Sequence, residues 1–214
     1  MIKAIIFDCW GTLFYDDIEP KPFEEFAKKL GKSMNDYSYL KIFERNLMLK
    51  KNINIEEAIK NILRDLKIET NEEVLKELVF ILKEKATSYI KLYPDTLKTL
   101  EKLKKEFKLA LVTDAFPLSF KVLETKFKIR KFFDTLIISY EVGLLKPDYK
   151  MFELALKNLE CKKEEALMIG NNLEDDVKAA RKFGVNSILF DINNKYPEFP
   201  ERITSLSEIW RYLK

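Results

Sequence analysis

The stretch "IIFDCWGTLFYDD" (Ile5–Asp17) decides the fold. An apolar run stops at one carboxylate, Asp8, and the chain then turns through Gly11-Thr12. Residues 2–7 are apolar almost throughout rather than alternating, the pattern of a strand buried on both faces of a parallel sheet. Two residues beyond Asp8, where a second acid would complete a catalytic pair, stands Trp10.

From about Pro20 to Lys91 the period is helical, with no strand pattern. Pro20-Lys21-Pro22 opens a first helix through Phe23, Phe26 and Leu30, which Gly31 ends. Others are expected at about 34–50, at 54–67 after the Asn52/Asn54 turn, and at 71–91 with Val74, Leu78 and Leu82 on one stripe. After Pro94 the two periods alternate: helix 95–106, strand 108–113, helix 117–127, strand 134–139 and helix 148–159. Strand 165–169, helix 174–183, strand 186–190 and a last helix at about 205–213 follow. Short strands separated by single helices imply right-handed crossovers and a doubly wound parallel sheet. The expectation is an α/β fold: a Rossmann-like core of residues 1–15 and 92–214, with a helical cap, residues 16–91, inserted after the first strand.

Composition narrows the function. The 214 residues are 47% apolar and 34% charged with a net charge of +3, and Lys and Glu alternate instead of clustering, so no nucleic-acid partner is expected. No apolar run approaches the roughly 18 residues of a membrane span. Met1-Ile2-Lys3 leads straight into the strand without signal-peptide organisation, so the expected location is cytoplasmic. Two cysteines, Cys9 and Cys161, have no metal-ligand spacing and are expected to stay reduced. There is no histidine, which removes His-based triads and zinc sites together. Catalysis therefore rests on carboxylates, lysine, hydroxyls and backbone amides.

Ligands of such sheets lie beyond the carboxyl ends of the strands. The residues there are Asp8, Thr113-Asp114, Lys146, and Gly170-Asn171-Asn172 with Asp175-Asp176. Asp8 is a carboxylate nucleophile candidate, and the amides of Cys9 and Trp10 form a nest-like anion site. Thr113 offers a neutral donor, and Lys146 can neutralise an anionic substrate. One of Asp175 and Asp176 is expected to orient Lys146 or position water. Thr12 and Asp114 complete the substrate-binding candidates.

These segments resemble the four motifs of the haloacid dehalogenase superfamily, in the subfamily with a helical cap after the first motif. "FDCWGTL", "LVTD", "EVGLLKPDYKMFELAL" and "MIGNNLEDDVKAARKFGV" occur in that order along the whole chain. The resemblance implies an Asp nucleophile, a covalent aspartyl intermediate and a site at the cap–core interface.

Two departures divide the expectations. Phosphatases of the superfamily usually carry Asp at the position of Trp10 and again at that of Asn171. A general acid contributes about 10²–10⁴-fold in rate, and an indole cannot supply it. A leaving halide needs no acid, and the superfamily's 2-haloacid dehalogenases have an aromatic residue at the Trp10 position and use no metal. The first reading is thus a dehalogenase-like hydrolase of a small 2-halo carboxylic acid, with Asp8, Thr113, Lys146, Asn172, Asp175 and Asp176 catalytic. Arg45 is its candidate for holding the substrate from the cap. The alternative is a Mg²⁺-dependent phosphatase of small activated phosphate esters or acyl phosphates, with Asp8, the Trp10 carbonyl, Asn171 and Asp176 as metal ligands. A third reading is a degenerate binding homologue. Each implies a small anionic partner and a monomer or homodimer.

Overall fold

The computed structural model describes residues 1–213. Strand β1 (Ala4–Phe7) is buried at every position and lies inside a six-stranded sheet in the order β5-β4-β1-β6-β7-β8. Its neighbours are β4 (Lys108–Thr113) and β6 (Ala166–Gly170), and beyond them run β5 (Thr135–Ile138) and β7 (Asn186–Phe190). All pairings are parallel. The two-residue strand β8 (Arg202–Ile203), which no pattern announced, closes one edge.

Successive side chains of a strand face opposite ways, so β1 feeds two cores at once. Ile5 and Phe7 pack with Leu109, Leu111 and Ile169 on one face. Ala4 and Ile6 pack with Val112, Met168 and Phe152 on the other. This double burial is why the strand reads as unbroken apolar sequence.

Between β1 and the rest of the core the chain builds helices α1 (Pro22–Lys29), α2 (Tyr37–Leu47), α3 (Ile55–Leu66) and α4 (Glu72–Phe80). Asp36, Asn54 and Asn71 cap the last three by accepting amide protons of the first turn. Along α3, Ile55, Ala58, Ile59, Ile62 and Leu63 share one buried face. They join Phe26, Phe43, Leu47 and Leu78 in a separate apolar core that also takes in Phe116.

The expected single helix over 71–91 is broken. A π-helical turn (Ile81–Lys85) and a short α segment follow α4, and Ile90–Leu92 is strand β3, antiparallel to β2 (Phe14–Asp16). This two-stranded stem is where the helical insertion leaves and rejoins the sheet-bearing core. Three-residue strands are too short to impose a period on the sequence.

In the second half, α5 (Thr96–Leu103), α6 (Pro117–Lys126) and α7 (Tyr149–Leu159) link the strands. The helix expected at 174–183 instead begins as a π-helical turn (Leu173–Lys178) and becomes α8 only at Ala179–Phe183. The last segment, Leu206–Tyr212, is 3₁₀ rather than α. Among the described residues no helix is long and apolar enough to cross a membrane.

Candidate active site

The loops beyond β1, β4 and β6 meet as their strand order requires. Asp8 directly follows β1 and is almost wholly enclosed. Lys146, on the loop before α7, places its Nζ 2.6 Å from Asp8 Oδ1 and 2.6 Å from Asp176 Oδ1. Burial works against the Lys146 charge, but Asp176, Asp8 and Asp114 outweigh it and hold the ammonium well above the usual lysine range. Burial pushes the Asp176 carboxyl up to about 7 against the pull of Lys146.

The wide turn after β6 decides between the two adjacent acids. Asn172 Oδ1 accepts the amides of Glu174 and Asp175, and its carbonyl accepts those of Asp176 and Val177. With the turn so held, Asp176 points inward, wholly buried, with Oδ2 on the Asn172 amide at 2.9 Å. Asp175 faces the rim, where Asn172 Nδ2 donates to it at 3.2 Å. Gly170 is needed because a Cβ there would overlap the Asp176 carboxylate. Gly11 has a φ of +78°, and a Cβ on it would collide with the Asn171 amide.

On the other side of Asp8, polar groups converge. Thr12 Oγ1 lies 3.1 Å from Asp8 Oδ2 and 3.3 Å from the Asn171 side-chain amide. The Asn171 side-chain amide turns its NH₂ to the Trp10 carbonyl oxygen at 2.8 Å and to Asp8 Oδ2 at 3.2 Å. Asp8, the Trp10 carbonyl and Asp176 are hard oxygen donors of the kind Mg²⁺ takes, and Asn171 could add its Oδ1 by turning over. The residues therefore fit a Mg²⁺-sized ion, with Asp8, the Trp10 carbonyl, Asn171 and the neighbouring Asp176 as donors. Among the described residues no three His, Cys, Asp or Glu side chains gather as a metal cluster, so this set depends on a carbonyl and a neutral amide.

Thr113 is buried at the end of β4, and its hydroxyl donates to the Asp114 carbonyl at 3.3 Å rather than to Asp8. The Asp114 carboxylate accepts the backbone N–H of Lys146. Two expected substrate contacts lie elsewhere. Arg45 turns outward on α2 and bonds Asp65 at 3.0 Å, because its helix phase points it away from the core. The Cys9 side chain packs in the sheet core, where burial and then Asp8 raise its thiol well above the usual range. Only its backbone remains near the anion, and its carbonyl holds the turn through the amides of Leu13 and Phe14. Trp10 lines a small apolar cavity of about 80 Å³ with Phe23, Met48 and Phe116 at the cap–core boundary.

The cap contributes a different pair. Lys41 Nζ bonds Glu44 at 2.9 Å and the Lys146 carbonyl at 3.3 Å, and lies 3.7 Å from Asp175. Glu44 is buried, and desolvation raises its carboxyl despite Lys41. In sequence this i,i+3 pair is indistinguishable from a solvated helix face, except that it flanks the buried Phe43.

A sheet-borne acid beside a buried lysine, roofed by a helical insertion, makes up the candidate site. A family model for haloacid dehalogenase-like hydrolases matches residues 2–184, and the chain belongs to that family. It is 27% identical to the glyceraldehyde 3-phosphate phosphatase of Methanocaldococcus jannaschii, over 98% of this chain and 96% of that one. The glyceraldehyde 3-phosphate phosphatase of Pyrococcus furiosus is also 27% identical, over 100% and 93%. Among solved structures, a 2-haloacid dehalogenase from Pseudomonas syringae superposes with a TM-score of 0.68 at 20% identity, covering 100% of this chain and 98% of that one. A phosphatase from Thermococcus onnurineus gives 0.63 at 24%, covering 99% and 98%. Identities this low speak for the fold alone.

Proposed function

We propose that this hydrolase is a Mg²⁺-assisted phosphatase of small phosphorylated metabolites, of the size of a triose phosphate, working through a phosphoaspartyl intermediate on Asp8. One observation carries the reading: the buried Lys146 ammonium lies 2.6 Å from Asp8 and 2.6 Å from Asp176, fixed charge beside the nucleophile of the kind a phosphoryl anion needs. The sequence relatives named as glyceraldehyde 3-phosphate phosphatases, spanning nearly the whole chain, support it over the dehalogenase reading. When bound, the ion would neutralise charge on the phosphoryl oxygens.

The chain's own residues supply the rest. Asp8 Oδ attacks phosphorus, with Lys146 fixing the orientation of its carboxylate and adding positive charge beside the anion. Thr12 holds the second Asp8 oxygen by hydrogen bond. Asp176 keeps Lys146 in place, and the enclosed setting strengthens each interaction. Lys41 and Glu44, reaching the rim from the cap, stand where the organic part of a substrate would lie.

Dehalogenation stays as a second reading because Trp10 and its apolar cavity would suit an alkyl halide. One experiment separates them. Phosphate release from glyceraldehyde 3-phosphate and p-nitrophenyl phosphate is measured with Mg²⁺ and with a chelator, beside halide release from 2-chloropropionate. Mg²⁺-dependent phosphate release that Asp8→Asn abolishes is expected. Halide release without phosphate release would overturn the proposal.

A further inference from the structure

Five carboxyls surround the Asp8 region, and among the described residues four of them have an ammonium at hand. Asp8 and Asp176 share Lys146 at 2.6 Å each. Glu44 pairs with Lys41 at 2.9 Å, and Asp175 lies 3.7 Å from the same nitrogen. Asp114 is the exception. Its side chain accepts one backbone N–H, that of Lys146, 3.1 and 3.2 Å from its two oxygens. With no ion pair to offset it, burial weighs on the charged form of Asp114, as it does on that of Asp176, and favours the protonated one.

Its position is as telling. β1 and β4 pair in parallel as far as Phe7 and Leu111, and Trp10 and Asp114 each stand three residues beyond those partners. Counted from that last shared pair, the acid missing from position 10 thus has a counterpart on the adjacent chain segment, directly after β4. We infer that Asp114 is the proton donor to the departing oxygen, taking over the task that the Trp10 indole cannot perform.

The inference rests on the phosphatase reading, and its steps balance. Asp8 Oδ forms a bond to phosphorus as the P–O bond to the leaving group breaks. The Asp114 proton passes to that oxygen, giving a neutral alcohol and an Asp114 carboxylate. Water then attacks phosphorus, its proton returns to Asp114, and the P–O bond to Asp8 breaks to release phosphate. Burial holds the Asp114 carboxyl up at about 7, with Lys146 pulling it down and Glu44 and Asp8 pushing it up. These groups face it from the loop before α7, from cap helix α2 and from the end of β1. It is therefore about half protonated near pH 7, enough to serve as a general acid.

The test uses two esters with Mg²⁺: sn-glycerol 3-phosphate, which expels an alkoxide, and p-nitrophenyl phosphate, which expels a stable anion. Asp114→Asn, nearly isosteric, should lower the alkyl-to-aryl ratio of kcat/KM, which reports the step that expels the leaving group, by about 10²–10⁴. A purely structural role would lower both rates together and leave the ratio unmoved, which would overturn the inference. Wild-type enzyme gives a second reading that needs no variant. Its alkyl-to-aryl ratio should fall as pH rises through about 7, and a ratio flat from pH 6 to 9 would sink the idea. Wild-type inactivity toward both esters would instead overturn the phosphatase reading, and this inference with it.

Discussion

Lys146 Nζ is equidistant, at 2.6 Å, from Oδ1 of Asp176 and Oδ1 of Asp8, and all three side chains are almost wholly removed from solvent. Removing the cation leaves two buried carboxylates facing each other. Breaking such an arrangement costs about 3–5 kcal/mol. Lys146→Met is therefore expected to lose stability on that scale in denaturant unfolding at pH 8. The deficit should shrink as pH falls, because protonating one carboxylate ends the repulsion. A loss that does not vary with pH would contradict this account.

Asn171 is neutral at the point where Asp8 Oδ2 and the Trp10 carbonyl converge. Asn171→Asp adds a formal charge to that oxygen set. Cation affinity rises with ligand charge, so half-maximal Mg²⁺ for phosphate release should drop by about tenfold. With a chelator present the same variant should melt lower than wild type, since a new charge then faces Asp8 unneutralised. Mg²⁺ titration of activity and calorimetric melting together check both arms.

Gly170 lies against Asp176, with no room for a Cβ between them. Gly170→Ala must push the carboxylate away from Lys146 or shift the strand end. Overpacking of this kind costs about 1–3 kcal/mol. The turnover loss should exceed what that stability change explains, because a displaced Asp176 frees Lys146 to move off Asp8. Activity measured well below the variant's melting temperature distinguishes the two effects.

Asp16, at the end of β2, has a carboxyl that burial pushes up to about 6, with Lys21 opposing and Glu24 adding. A carboxyl raised on folding favours the native state when protonated. Its contribution is complete below the ordinary Asp value and is lost as pH rises through about 6. Asp16→Asn is neutral at every pH. Relative to wild type it should gain on the order of 2 kcal/mol near pH 8 and nothing near pH 4. Melting temperatures across that range provide the check.

The same residues show how far the sequence reaches. The five principal strands and the positions of Asp8, Thr113, Lys146 and Asp176 near their ends were legible, because strand period and chain direction are local properties. Parallel crossovers of one hand then oblige those ends to face the same way. Even the order of the motifs along the chain follows from the linear pattern, and with it the family.

Tertiary structure decided what depends on rotation about an axis or on two distant segments meeting. Choosing Asp176 over Asp175 to face Lys146 needed the π-helical turn after β6, which changes the angular phase of both side chains. Lys41 and Glu44 replaced Arg45 at the cap's edge because positions one to four residues apart on α2 point in different directions, and only packing of that helix selects the inward ones. The polar cluster of Asp8, Trp10 and Asn171 joins positions more than 160 residues apart, and one of its members is a backbone carbonyl that any residue type could have supplied.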